Sequence, residues 1–533
     1  MRPSQLSPRF RRARRLHEAG ELDAAEQLYA EILRRDPRHF DALHLTAMLH
    51  YQRGRLERAE KLLRAALALD PCRADAQGDL GLVLLAAGRA QDAVPCYEAA
   101  CRIAPEDADT HNGLGVAWLR IDRIAEALAS FDRALALCPD HVGAFGNRGN
   151  ALLKLNRVHE AIASFDAGLR IAPKHARLLT NRAIALRRID CPREALMDVS
   201  RARACTPDFA EARFVESLIR LTLGDFAAGW EAYEHRWATA AFAAHRRKLA
   251  RPLWLGDRPL AGKTILLYAE QGYGDTIQFV RYAPRVAALG ARVVLEVQAV
   301  LARLLAASLP VEVVAHGRPL PEFDLQCPLM SLPLALRTTL STIPADIPYL
   351  APPAEKAQAA PPADDRAPGR PLRIGIAWAG DPLHKNDLNR SLQLAKLRPL
   401  FDLPQIEFTG LQQEISAGDA ELAHALPQLS LAGPFADFAA TATAIAPLDA
   451  VIAVDTAVAH LAGAIGKPLF LLLPYGADFR WLRGRSDSPW YPTARLFRQH
   501  AFGDWGRAIE ALCHELSDWS AAANTKPRIL RRA

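Results

Sequence analysis

"VIAVDTAVAHLAGAIGKP", residues 451–468, begins as a buried strand and changes character in mid-phrase. Val451, Ile452, Ala453 and Val454 form the apolar run of a strand covered on both faces. Asp455 ends it, Thr456 is placed to cap the next helix, and His460 stands about one turn further along. The N–H groups of Ala457, Val458 and Ala459 would then point outward, as at anion sites on helix N-termini. Read as structure alone, Asp455 and Thr456 are caps and His460 is a packed histidine.

The same grammar extends to both sides. "LRIGIAWAG" (372–380), "IEFTGLQ" (406–412) and "PLFLLLP" (468–474) are further buried strands. Upstream, "AGKTILLYAEQGYGDTIQFVRYAPRVAALGARVVLEVQAVL" (261–301) reads as a strand over 265–268, a helix over 275–289 and a strand over 292–297. Strands alternating with helices indicate parallel α/β sheets. "APPAEKAQAAPPADDRAPGRP" (351–371) has the composition of a linker. The expected layout is therefore two doubly wound lobes, 252–350 and 372–520, followed by a basic tail, 521–533. A cleft would face the carboxyl ends of both sheets. "GKT" at 262–264 is not a phosphate loop, because it precedes its strand and its spacing to Gly256 is wrong.

The first 210 residues follow a ruler instead. Pro37, Pro71, Pro105, Pro139, Pro173 and Pro207 are spaced at 34, and Ala25, Ala59, Ala93, Ala127, Ala161 and Ala195 keep the same step. Gly20, Gly54, Gly88 and Gly224 share it, with Asp122, Asn156 and Asp190 in the intervening turns. This resembles the tetratricopeptide repeat, an α-solenoid of helical hairpins. Glycine permits the tight turn, alanine lets two helices approach, and proline ends the second helix. The solenoid is expected over 1–240, with a degenerate capping unit from 208. Asn147-Arg148 and Asn181-Arg182 recur 34 apart, so Asn147 and Asn181 are candidates for an amide ladder that grips an acceptor's backbone in the groove. Asp107 and Asp109 lie between repeat helices and read as surface groups, not a metal motif.

Bulk properties narrow the function. Half the residues are hydrophobic and 23% are charged, an ordinary globular balance. The net charge of +7 is mild, and Arg9, Arg11, Arg12, Arg14 and Arg15 form a short basic stretch without interleaved aromatics, which argues against nucleic acid. No secretory h-region and no uncharged apolar span of membrane length is evident. The eight cysteines form no CxxC pair, so structural zinc is not expected and a reduced, cytoplasmic setting is.

Three polar clusters fall where strands finish. In "EQGYGDTIQF" (270–279), Asp275 starts a helix, either as its cap or as a base on the cleft floor. "WAGDPLHKNDLNRS" (378–391) gathers His384, Lys385, Asp387, Arg390 and Ser391 after a strand, a density of donors suited to phosphate. The third cluster is the opening stretch.

Taken in order, "GYGDTIQFVRY", "WAGDPLHKNDLNRS", "VDTAVAHLAGAIGKP" and "DSPWYPTARLFRQ" resemble bacterial tetratricopeptide-repeat glycosyltransferases. Their C-terminal region is similar to the heptosyltransferase-like family with the two-lobed GT-B fold. The resemblance implies an inverting, metal-independent transfer from a nucleotide sugar, with no cofactor. It makes Asp275 the base and assigns the donor diphosphate to Asp455, Thr456, the amides from Ala457 onward, and His460. His384 and Ser391 line the same site, and Lys385 or Arg390 neutralises leaving-group charge. Ala457 stands where heptosyltransferases carry glycine. Repeats joined to a GT-B transferase also resemble the architecture of protein O-linked N-acetylglucosamine transferases, which implies a protein or other large acceptor. The competing expectation is a repeat scaffold with a vestigial or sensor-type nucleotide-sugar domain.

Overall fold

In the computed structural model, residues 8–353, 370–384 and 386–525 are described. The chain divides into two compact units, Met1–Ala185 and Leu186–Ala533. Most of the linker expected at 351–371, most of the tail at 521–533, and Lys385 lie outside the described residues.

The first unit is built of helical hairpins. Pro8–Glu18 turns at Gly20 into Leu22–Arg35, and Phe40–Gln52 turns at Gly54 into Leu56–Leu69. Ala74–Ala86 with Ala90–Ile103, Ala108–Arg120 with Ile124–Leu137, and Val142–Lys154 with Val158–Ile171 continue the series. The residue at each turn is left-handed: Gly20, Gly54, Gly88, Asp122 and Asn156 have φ between 58° and 78°. Glycine adopts this conformation freely, and Asp and Asn are among the few side chains that tolerate it. Ala25, Ala59, Ala93, Ala127 and Ala161 are fully buried, so the hairpin contact is as close as their methyl groups allow.

A second register of small residues lies opposite the aromatics. A Cβ on Gly81 would fall 2.6 Å from the Tyr97 ring, on Gly115 2.5 Å from Phe131, and on Gly149 2.3 Å from Phe165. Each ring fills the space that the absent side chain leaves. Asp107 caps the helix Ala108–Arg120 by accepting from the Asp109 N–H at 3.2 Å, which fits its reading as a surface group.

The second unit holds two parallel sheets. β1 (Thr264–Tyr268), β2 (Arg292–Val297), β3 (Glu312–Ala315) and β4 (Leu325–Pro328) form the first, in the order β3-β2-β1-β4. β5 (Leu372–Ala377), β6 (Ile406–Gly410), β7 (Leu429–Leu431), β8 (Ala450–Val454), β9 (Leu469–Leu473) and β10 (Ala494–Arg498) form the second, in the order β10-β9-β8-β5-β6-β7. Every ladder is parallel. The strand order reverses beside β1 in one sheet and between β5 and β8 in the other. Doubly wound sheets bind ligands at such points, outside the carboxyl ends of the strands.

Two expectations are corrected. The helix expected over 275–289 is three short pieces, Tyr273–Phe279, a 3-10 turn Val280–Tyr282, and Ala283–Ala287. Pro284 is the cause, since it has no N–H to continue the ladder and its ring opposes the carbonyl four residues back. The helix also starts two residues earlier than expected, so Asp275 is the third residue of its first turn.

The segment read as a capping repeat, Ala210–Thr222 and Phe226–Tyr233, packs within the second unit. Leu221, Phe226, Trp230 and Tyr233 share one core with Ile265, Phe279, Phe479 and Trp490. Arg236, fully buried, donates to Glu234 at 2.7 Å, to Ser331 at 2.8 Å and to Glu270 at 3.2 Å. A fragment spanning 186–533 should therefore give one cooperative thermal transition, whereas a fragment starting at 241 should aggregate or melt without cooperativity. A cooperative transition in the shorter fragment would show that this segment is dispensable. In the repeats, Gly149→Ala should cost about 1–3 kcal/mol in urea unfolding, the usual penalty for overpacking. An unchanged midpoint would mean that Phe165 moves aside freely.

Candidate functional site

The loops at the two reversal points meet. Gly274, in the helix Tyr273–Phe279 that follows β1, lies so near the helix Ala457–Ala464 that a Cβ would fall 2.8 Å from the His460 ring. This contact brings Asp275 to the cluster of Asp455, Thr456, Ala457 and His460, two groups that lie on separate segments of the sequence.

Asp275 has both oxygens engaged. One accepts the Gly272 N–H at 3.0 Å, and the other pairs with Arg480. One Asp275 oxygen thus plays the capping part, and the other is held by Arg480. Arg480 was not singled out from sequence, yet it is the hub of the site. Its Nε donates to Gln278 at 2.6 Å and its Nη1 to Asp478 at 2.7 Å. Burial opposes its charge, but Asp478 and Asp275 outweigh that and hold its pKa above the usual arginine value.

His460 is buried, with Nδ1 3.0 Å from the Tyr491 hydroxyl and its ring stacked on Trp481 at 5.4 Å. Burial first, and then the charges of Arg480, Arg281 and Arg390, push its pKa well below the ordinary histidine value. Its uncharged form is therefore favoured. Its Nε2 lies 3.8 Å from Asp455. Burial and the neighbouring Asp478 push Asp455 up to about 6, against the pull of Arg390 and Arg480.

Thr456 occupies the N-cap position of the helix Ala457–Ala464 but makes no side-chain capping bond. Its hydroxyl is buried and, among the described residues, has no hydrogen-bond partner. Buried polar atoms are normally paired, so this orphan leaves capacity for a ligand beside the first turn of the helix. Arg390 reaches across from the loop after β5 and donates to the Asp455 carbonyl at 2.9 Å.

Ser391 does otherwise. It donates to Asp387 at 2.6 Å and accepts from the Gly380 N–H at 2.9 Å, which locks its own loop. His384 is exposed, with Nδ1 accepting from the Asn386 N–H at 3.2 Å. Desolvation and then Arg390 lower its pKa. Lys385 lies outside the described residues. Among the described residues no group of three or more His, Cys, Asp or Glu is arranged to hold a metal ion. No described helix is long and apolar enough to cross a membrane.

Asn147 and Asn181 belong to the first unit and do not form rungs with each other. Asn147 donates to Asn112 at 2.9 Å and Asn181 to Asn150 at 3.0 Å. The amides therefore pair between hairpins, with two partners that the 34-residue register did not mark. All four are half-buried, so part of their capacity stays open to solvent.

Among solved structures, YrrB, described as a tetratricopeptide-repeat protein with an unusual peptide-binding site, is 24% identical. Its TM-score is 0.30, covering 36% of this chain and 98% of that one. Pseudomonas aeruginosa pilF is 21% identical, with a TM-score of 0.34 over 38% and 92% of the two chains. The curated protein FlbA of Caulobacter vibrioides is 30% identical over 348 residues, which are 60% of this chain and 57% of FlbA. The chain thus spans little more than half the length of that relative. Tetratricopeptide-repeat models match residues 10–74, 79–142 and 142–175, so the chain carries tetratricopeptide repeats over this span.

Proposed function

We propose that the second unit transfers a sugar from a nucleotide-sugar donor, in the manner of heptosyltransferase-like GT-B enzymes, while the repeats recruit a protein or other large acceptor. One observation carries this reading: the loops at both sheet-reversal points converge. They bring Asp275, paired with Arg480, to the helix Ala457–Ala464, whose N-cap Thr456 hydroxyl has no hydrogen-bond partner among the described residues, and Arg390 donates to the Asp455 carbonyl beside it. A base facing an anion-binding surface is what inverting transfer requires.

In this reading the acceptor oxygen attacks the anomeric carbon, the bond from that carbon to the diphosphate oxygen breaks, and the acceptor's proton passes to Asp275. Arg480 must first leave Asp275. An arriving diphosphate supplies the competing anion, so the guanidinium turns to the leaving group and frees the base in the same motion. His460, uncharged, keeps Trp481 and Tyr491 in place beneath the junction.

The second reading is a nucleotide-sugar sensor that reports through a repeat scaffold. The engagement of both Asp275 oxygens favours it. Screening nucleotide sugars by thermal shift identifies the donor, and turnover then separates the readings. Asp275→Asn should keep donor affinity while lowering turnover by about 10²- to 10⁴-fold. A wild-type chain that binds donor and neither transfers nor hydrolyses it would establish the sensor.

Asp455 gives a pH signature. An acid whose folded pKa of about 6 exceeds its unfolded value contributes stability that is complete below the unfolded value and lost as pH rises through the folded one. Asp455→Asn should therefore melt higher than wild type above about pH 6, by on the order of 1–3 kcal/mol in stability, with the gap closing towards about pH 4. A constant gap across that range would show that Asp455 is not the titrating group.

A further inference from the structure

Gln278 lies on the helix Tyr273–Phe279, three residues beyond Asp275, so the two side chains share a face. It is fully buried and stands between two buried arginines. Its backbone carbonyl accepts from Arg281 Nε at 2.8 Å, and its side-chain Oε1 accepts from Arg480 Nε at 2.6 Å. An arginine Nε–H can only donate, so the amide oxygen must face Arg480 and the amide nitrogen must point elsewhere. That nitrogen has no hydrogen-bond partner among the described residues. A buried amide with its donors unmet costs stability, and a methionine of similar length would fill the space without that cost. Packing therefore does not account for glutamine at this position, whereas the need for an acceptor beside Arg480 does.

The guanidinium of Arg480 has three held edges, and their partners differ in kind. Nε donates to the Gln278 amide, Nη1 to Asp478 at 2.7 Å, and Nη2 pairs with Asp275. Asp478 also accepts the backbone N–H of Arg480 at 3.1 Å, so it is tied to the arginine's own main chain. The ring of Phe479 lies beneath the guanidinium at 4.5 Å. Gln278 is neutral and orients the cation without consuming its charge. A glutamate there would add a third carboxylate and compete with an arriving anion. An apolar side chain would leave the Nε edge unmet, and the fork would be free to take Asp275 with two donors.

We propose that Gln278 is a positioning residue that holds the Nε edge of Arg480, so that Nη2 alone is exchanged between Asp275 and the diphosphate of a bound donor. This rests on the nucleotide-sugar reading of the site and deepens it. The guanidinium turns about two held edges and gives up a single bond, and Arg281 fixes the helix on which that pivot stands.

The test is a double-mutant cycle read by calorimetric titration of inorganic pyrophosphate, a probe independent of base and sugar. The full-length wild-type chain is compared with Gln278→Met, Arg480→Lys and the double variant. Arg480→Lys keeps the charge between its carboxylates and loses the Nε edge, so it should itself bind more weakly. Gln278→Met should weaken binding about tenfold in the wild-type background and less than about twofold beside Arg480→Lys, because Gln278 acts through that edge. Gln278→Asn, one methylene too short for the contact, should show the same pattern and serves if the methionine variant does not fold. A residue that merely supports the helix would weaken binding by the same factor in both backgrounds, and that result would overturn the proposal. Wild-type affinity in both Gln278 variants would also overturn it while leaving the anion site standing. No pyrophosphate binding by the wild-type chain would overturn the site reading and this inference together.

Discussion

The second unit depends on how closely its two sheets approach, and a buried arginine sets that distance. Arg281 lies beneath the loop after β1 and donates to the Gln278 and Pro344 carbonyls at 2.8 Å, to the Trp490 carbonyl at 2.7 Å and to the Tyr349 hydroxyl at 2.9 Å. Trp490 belongs to the second sheet's side of the molecule, and the others to the first sheet and the segment that leaves it. A buried cation is tolerable only when its donors are met, and removing it would leave several acceptors unpaired at a cost of roughly 3–5 kcal/mol. With Arg281 in place, Gly274 rests on His460, and Asp275 comes within reach of Arg480. Outside this fixed zone the rim is held by Arg303 on Asp437, two bonds of 2.7 Å, and by Tyr273 against Phe438 at 5.4 Å.

Much of the fold was legible because its signals are local. Proline and alanine at a period of 34 reflect backbone geometry within one hairpin, and the left-handed turns at Asp122, Asn156 and Asp190 follow from the same register. Gly81, Gly115 and Gly149 keep that step too. They were not read, because their meaning lies in rings from the other helix of the hairpin. The short strands were legible as apolar runs, whereas the break at Pro284 was overridden by the amphipathic pattern around it. The segment from 210 to 238 looked like a repeat and is one in local geometry, yet Trp230 and Phe226 make it part of the α/β core. Periodicity reports the hairpin and is silent on what the hairpin packs against.

The site was legible in part for the same reason. Asp275, Asp455, Thr456 and His460 announce themselves as polar residues at strand ends, a local signal. Arg480 and Asp478 sit in "PYGADFRWLRG", which has the composition of an ordinary loop. Their role appears only when Arg480 meets Asp275 across 205 residues of chain. The charge state of His460 was equally hidden, since it depends on burial beside three arginines.

The charges of the cleft form a single balance. Asp478 holds Arg480, Arg480 holds Asp275, and Arg390 is held by the Asp455 carbonyl and by Asp387 at 3.4 Å. Burial and Asp478 raise Asp455 to about 6, and burial beside Arg480, Arg281 and Arg390 keeps the His460 pKa well below the ordinary histidine value. The guanidinium groups of Arg480 and Arg390 are thus matched by carboxylates, and at low local dielectric such pairs respond strongly to a competing anion. On the proposed transfer reading a diphosphate would compete with Asp275 for Arg480, so donor binding and release of the base would be one electrostatic event and not two.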